Sequence, residues 1–81
     1  MNPKVGDIWE WSQERYDSDE LGYIQVAAIV LILTEPVYNK DVYFDDRRWE
    51  FTALELDGDD PGVIDSWMMR TNDYDKWRQL A

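Results

Sequence analysis

The chain contains no cysteine and no histidine. Nucleophile sites of the Ser-His-Asp and Cys-His types are therefore excluded, as are zinc sites built on those ligands. No disulfide can staple the fold, which fits a reducing compartment. Only four glycines and three prolines are present, and none falls into a phosphate-cradling or dinucleotide-binding pattern. Basic residues are also scarce, at 8 against 18 acids. A chain so poor in lysine and arginine lacks the footprint needed to displace counterions from nucleic acid or to hold an anionic membrane. The longest apolar stretch, Ala27 to Leu33, falls far short of the ~20 residues of a membrane span. It is internal and has no basic region before it, so it is not a secretory signal. No lipidation or anchor motif is visible.

What is present is an aromatic-rich, acidic chain of 81 residues with five Trp, five Tyr, two Phe and a net charge of −10. The length predicts a single domain, residues 1–81. Large rings bury roughly 150–250 Å² each, so a few of them replace the core that a short chain otherwise lacks. Tyr23 to Thr34 is rich in β-branched and aromatic residues and is bounded by Gly22 and Pro36. This composition predicts a long strand, covered on both faces and bent near Ala27-Ala28, over which a small sheet curls as a barrel.

Around that strand, Val5 to Trp11 alternates as a first strand. Ser12 to Gly22 is polar and reads as a long loop, the usual place for function on a small barrel. Val37-Tyr38 and Val42 to Phe44 read as hairpin arms with Asn39 to Asp41 as the tip. Asp45 to Arg48 reads as a self-paired polar turn. Trp49 to Asp57 alternates clearly, with the buried face switching midway. Gly58 to Gly62 is a turn by composition. Val63 to Met69 satisfies both strand and helix spacing, and the preceding turn favours a strand. Thr71 to Asp75 suits one helical turn, and Trp77 to Leu80 a last strand whose Trp77 or Leu80 plugs the barrel. The expected fold is mostly all-β, a small antiparallel barrel of about five strands. The alternative is an α+β fold with a helix at 63–70.

Several residues carry this order: the opening Val5-Gly6-Asp7-Ile8, the strand Ile29 to Leu33, the strand-to-turn Leu54-Glu55-Leu56-Asp57-Gly58 and the closing Trp77-Arg78-Gln79-Leu80. In that order the chain resembles the small SH3-like barrels encoded by accessory genes of tailed phages. The resemblance implies an architecture, and a setting in the cytoplasm of a bacterial host, but no particular chemistry. The acidic stretch Ser12 to Gly22 departs from the compact pattern.

The functional expectation follows from charge. A net −10 exceeds the magnitude of about 2–8 that solubility alone favours in small domains. The candidate acidic surface is Glu10, Glu14, Asp17, Asp19 and Glu20 on one segment, with Asp57, Asp59, Asp60 and Asp65 on another. Tyr16, Trp49 and Trp67 are the candidate aromatic anchors. Such a surface suits a non-catalytic module that binds a basic protein, in the sharpest version a DNA mimic that inhibits a nucleic-acid-binding host defence protein. One alternative is an aromatic groove, built from Tyr16, Asp17, Asp19 and Glu20 with Trp49 or Trp67, for a peptide or small cationic ligand. Another is a phage structural or assembly protein. Catalysis is not expected, since only unspecific carboxylate pairs are on offer. Neither a cofactor nor a metal is expected. Asp57, Asp59 and Asp60 share a turn but do not match a calcium-loop pattern.

Overall fold

The computed structural model describes residues 2–41 and 46–81. Among these residues six strands and one 3₁₀ segment follow one another: β1 (Ile8–Asp17), β2 (Gly22–Ile32), β3 (Val37–Asp41), β4 (Asp46–Asp57), β5 (Ile64–Arg70), the 3₁₀ segment Thr71–Lys76, and β6 (Trp77–Gln79). All pairings are antiparallel, in the order β3-β4-β2-β1-β6 with β5 also on β4. The sheet curls into a half-barrel, the small all-β, barrel-like fold expected from the sequence. Val63 to Met69 is strand, not helix: β5 keeps an unbroken register with β4 from Arg48↔Arg70 to Leu54↔Ile64. Among the described residues no helix is long and apolar enough to cross a membrane.

Strand β4 organises the topology. Its residues 53–57 pair with β2 and its residues 46–50 pair with β3. Strands β2 and β3 thus run in line along it, interrupted at Leu33–Pro36. The break is bridged by Leu33 N–H to the Thr52 carbonyl (2.8 Å) and by Thr52 N–H to Thr34 Oγ1 (2.9 Å). Pro36, which has no N–H to give a ladder, is buried in the break. Strand β5 is aligned with β4 residues 48–54. The chain ends meet at Ile8, whose N–H reaches the Ala81 carbonyl (2.9 Å) and whose carbonyl accepts Leu80 N–H (2.8 Å).

The core lies on the inner face of the curl. Trp9, Ala28, Val30, Ile32, Phe51, Ala53, Met69 and Trp77 are buried. Trp11, Trp49, Trp67 and Tyr74 pack around them. Edge-to-face contacts run Trp11–Trp67 (6.4 Å), Trp67–Trp77 (6.1 Å) and Trp77–Phe51 (6.3 Å), each worth about 0.5–1.5 kcal/mol beyond the area it buries. Trp77 is the plug, at 5% exposure, while Leu80 remains 43% exposed.

Several expectations are corrected. Val5 and Gly6 form a turn rather than a strand; Asp7 Oδ2 closes it by accepting Lys4 N–H (2.9 Å) and Trp9 Nε1–H (3.3 Å). The polar stretch Ser12 to Gly22 is not a loop. Up to Asp17 it continues β1, in register with β2 from Ser12↔Ala27 to Asp17↔Gly22, and only residues 18–21 turn. Strand β2 is covered on one face only: Ala28, Val30 and Ile32 are buried, whereas Tyr23, Gln25 and Ala27 are exposed. A half-barrel adds no second layer outside. Its irregularity lies between Ile29 and Val30, where β4 inserts an extra residue before Asp57, a bulge that sharpens the local twist. Asn39 to Asp41 are strand, opposite Arg48, Arg47 and Asp46. Asp46 to Arg48 are likewise strand; Val42 to Asp45 lie outside the described residues. The buried face of β4 does not switch, since Phe51, Ala53 and Glu55 are all buried and Leu56 is exposed.

The turn after β4 is built around buried Glu55. Its carboxylate accepts Asp60 N–H, and its backbone bonds Val63 (2.9 Å) and Gly62 (2.7 Å). Gly58 has φ +142°, and a Cβ there would lie 3.1 Å from Glu55 Oε2 and 3.2 Å from Ala28 Cβ. Gly62 has φ +88° but faces open space. Both Gly→Ala substitutions strain the backbone by about 1–3 kcal/mol, and Gly58→Ala adds the contact with Glu55. Urea denaturation is expected to rank Gly58→Ala as the less stable of the two; equal losses would show that Glu55 does not fix the turn.

Candidate functional site

Eight of the nine candidate acids lie between the Glu10–Ile29–Asp57 row and the tip of the β1–β2 arm or in the adjacent turn, whereas Asp65, opposite Ala53, lies level with Ile32 at the other end of β2. Strands β2 and β4 are antiparallel, so the end of β4 and the turn 58–63 lie on the same side as the β1–β2 arm. The cross-strand row Arg78–Glu10–Ile29–Asp57 joins them on the outer face. Glu10 and Asp57 line one cleft of about 210 Å³ together with Ala27, Ala28, Ile29 and Gly58. Glu14 follows Glu10 on the same face of β1, opposite Gln25. Asp17, Asp19 and Glu20 occupy the tip of the arm, where Asp17 Oδ1 accepts Asp19 N–H (2.9 Å). Asp59 and Asp60 sit in the turn, and Asp65 follows at the start of β5, opposite Ala53. Residues 10–20 and 57–65 hold nine acids against one base, Arg15, so −8 of the net −10 falls on these two segments. Arg78, opposite Glu10 on β6, brings a positive charge to the row: its Nη2 bonds Glu10 Oε1 at 2.9 Å. Among the described residues no three carboxylates converge as a metal site.

The three candidate anchors are not brought together. Tyr16 stands on the even-numbered, outer face of β1, paired edge-to-face with Tyr23 at 5.7 Å. Trp67 packs against Trp11, on the opposite face of β1. Trp49 packs at a tilt against Tyr38 (5.1 Å) and donates through Nε1 to Tyr74 Oη (3.3 Å). Both tryptophans belong to the rim of the core, so the expected groove joining either to Tyr16 does not form. The arm carries apolar residues that sequence reasoning missed. Beside Tyr16 (56% exposed), Tyr23 is 74% exposed and Leu21 82% exposed. Leu21 also has φ 54°, a left-handed conformation that costs a non-glycine residue about 1–2 kcal/mol. A bulky apolar residue placed directly before Gly22 in an otherwise polar turn was the available signal.

A larger groove, of about 590 Å³, crosses β4 and β5 beside the Leu33–Pro36 break. Glu35, Val37, Glu50, Thr52, Trp67 and Met68 contribute to its walls. Glu50 is already committed: Oε1 accepts Arg48 Nε–H (2.7 Å) and Oε2 accepts Asn39 Nδ2–H (2.7 Å). The hydrogen bond from Arg48, then its charge and the Asn39 bond, hold the Glu50 carboxyl below its ordinary value of 4.5 against a counteracting push from desolvation. No family model, curated protein or solved structure matches the chain.

A depressed carboxyl pKa stabilises the fold above the unfolded-state value, and that contribution is lost as pH falls through the lower native value. In urea unfolding, wild type is therefore expected to exceed Glu50→Gln in stability near neutrality, with the gap closing as the pH drops below 4.5. A gap independent of pH would show that the Arg48 contact does not bias Glu50 ionisation.

Proposed function

We propose that this protein is a non-catalytic, acidic interaction module that docks on the basic surface of a protein partner. The observation that carries this reading is the uneven charge: residues 10–20 and 57–65 hold −8 of the net −10, and eight of their nine acids lie from the Glu10–Asp57 row to the arm tip and the adjacent turn. Such a field steers a basic partner, makes the encounter salt-sensitive and fixes which end is presented. In the sharpest form the partner is a nucleic-acid-binding protein whose cleft the arm occupies in place of DNA or RNA. The resemblance noted above makes a phage accessory protein, acting in the cytoplasm of a bacterial host against its defences, the setting that fits. Tyr16, Tyr23 and Leu21 supply exposed apolar anchors among the carboxylates, the mixture that hot spots favour.

A second reading, a peptide or small-ligand binder, draws on the 590 Å³ groove. It is the weaker one, because Glu50, one of the two acids lining the groove, is satisfied by its own neighbours.

The test is a pull-down from nuclease-treated host lysate at low salt and at ~0.5 M salt, where exposed charges are screened. Wild type is expected to retain a DNA- or RNA-binding protein at low salt only, and added duplex DNA to release it. The variant Glu14→Gln/Asp17→Asn/Asp19→Asn/Glu20→Gln is expected to lose it. Recovery of no such protein, or equal recovery by the neutralised variant, would overturn the reading.

A further inference from the structure

The outer face of the half-barrel carries an apolar row that belongs to no core. The register sets Ile8 opposite Leu31, Leu31 opposite Leu54, and Leu54 opposite Ile64, one residue from each of β1, β2, β4 and β5. Directly opposite residues share a face. None of the four is in the buried core: Ile64 is 61% exposed, and Ile8, Leu31 and Leu54 are half-buried. Two residues along β1 and β2, and three along the bulged β4, lies the row with Glu10 and Asp57, in which Glu10 is also bonded by Arg78 at its β6 end. On the other side the row is bordered by the uncharged pair Thr52–Ser66.

We propose that this face docks an amphipathic helix with one basic flank, its apolar side covering Ile8, Leu31, Leu54 and Ile64 and its basic flank facing Glu10 and Asp57. The proposal rests on the basic-partner reading above and names the form that partner takes. The dimensions agree. Neighbouring strands stand about 4.8 Å apart, close to the 5.4 Å pitch of a helix, so a helix lying along the row sets one turn over each strand. Four strands span about 14 Å, which three turns cover. The acidic row is about 7 Å from the apolar one, where the flank of a helix 10–12 Å across comes down. Charge selects this occupant over a second copy of the chain: two molecules of −10 repel one another, whereas a basic helix is attracted. Acids on one side of the row and neutral residues on the other also fix which way the basic flank points.

The test uses the intact protein, methyl-labelled for NMR, with two synthetic peptides of identical leucine and lysine content. One has its leucines at helical spacing and the other is scrambled. The amphipathic peptide is expected to bind at least about tenfold more tightly, and to shift the methyls of Ile8, Leu31, Leu54 and Ile64. Ile64→Ser, at an exposed position, is expected to weaken it about tenfold, at ~0.5 M salt as well as at low salt. Equal binding of both peptides, with shifts confined to residues 10–20, would overturn the docking face and leave the acidic reading standing. A dimer in sedimentation equilibrium with the same methyls protected would assign the face to a second copy. Binding of neither peptide would remove both readings.

Discussion

The seam between β2 and β4 is what the rest of the structure depends on. Strands β1, β2 and β6 form one half of the sheet and β3, β4 and β5 the other. Among the described residues, the strand ladder that joins them is Ile29–Ile32 against Ala53–Asp57. Val30, Ile32 and Ala53 sit on this seam and are completely or almost completely buried. The bulge within it turns one half over the other, so that Trp9 and Trp77 from the first half meet Phe51 and Met69 from the second. Without that bend the two apolar faces would lie side by side in one open sheet. The curl is thus a product of strand register, and the aromatic core is its consequence.

The same seam sorts the charge. It delivers the end of β4 beside the β1–β2 arm, and with it two acidic segments far apart in the chain. Concentrating like charges raises their mutual repulsion. A molecule selected only for solubility gains by interspersing signs instead. The edge-to-face cluster of Trp11, Trp67, Trp77 and Phe51 offsets the repulsion from the inner side. Five tryptophans in so short a chain are accounted for by the core and its rim, and none has to be invoked as a ligand platform.

How much of this was legible depends on where each strand meets water. Strand β4 reads clearly from sequence because one of its faces is buried along Phe51, Ala53 and Glu55. Strand β5 was separable from a helix through the glycine turn before it. The outer half of β1 was not legible, because between Glu14 and Asp17 neither face meets a core and no alternation is imposed on the side chains. The same holds for Asn39 and Lys40 in β3. The acidic segments were visible as segments, but their convergence was not: it requires the register of β2 against both neighbours. The outer apolar row is likewise invisible in sequence, since Ile8, Leu31, Leu54 and Ile64 become neighbours only through three separate pairings. A leucine in an alternating strand reads as buried, and only its register with Leu31 and Ile64 shows Leu54 on the outer face.

The arm and the outer face then divide the work of recognition on the proposed reading. Beyond Ser12 and Ala27 the arm is a two-stranded ribbon with no third strand beside it among the described residues, and isolated ribbons are marginal in water. Its own stabilisation is the Tyr16–Tyr23 pair and the Asp17 turn, while Leu21 works against it by its backbone conformation. Such an element opens more readily than the body and adapts to what it meets. The outer row is different, because its four residues are fixed by ladders on the rigid body. Charge on an adaptable arm chiefly raises the rate of encounter, and apolar contact on a rigid face chiefly lengthens residence. A protein of this size has room for both because its sheet closes only halfway: a full second layer would bury the outer row and leave charge alone to hold the partner.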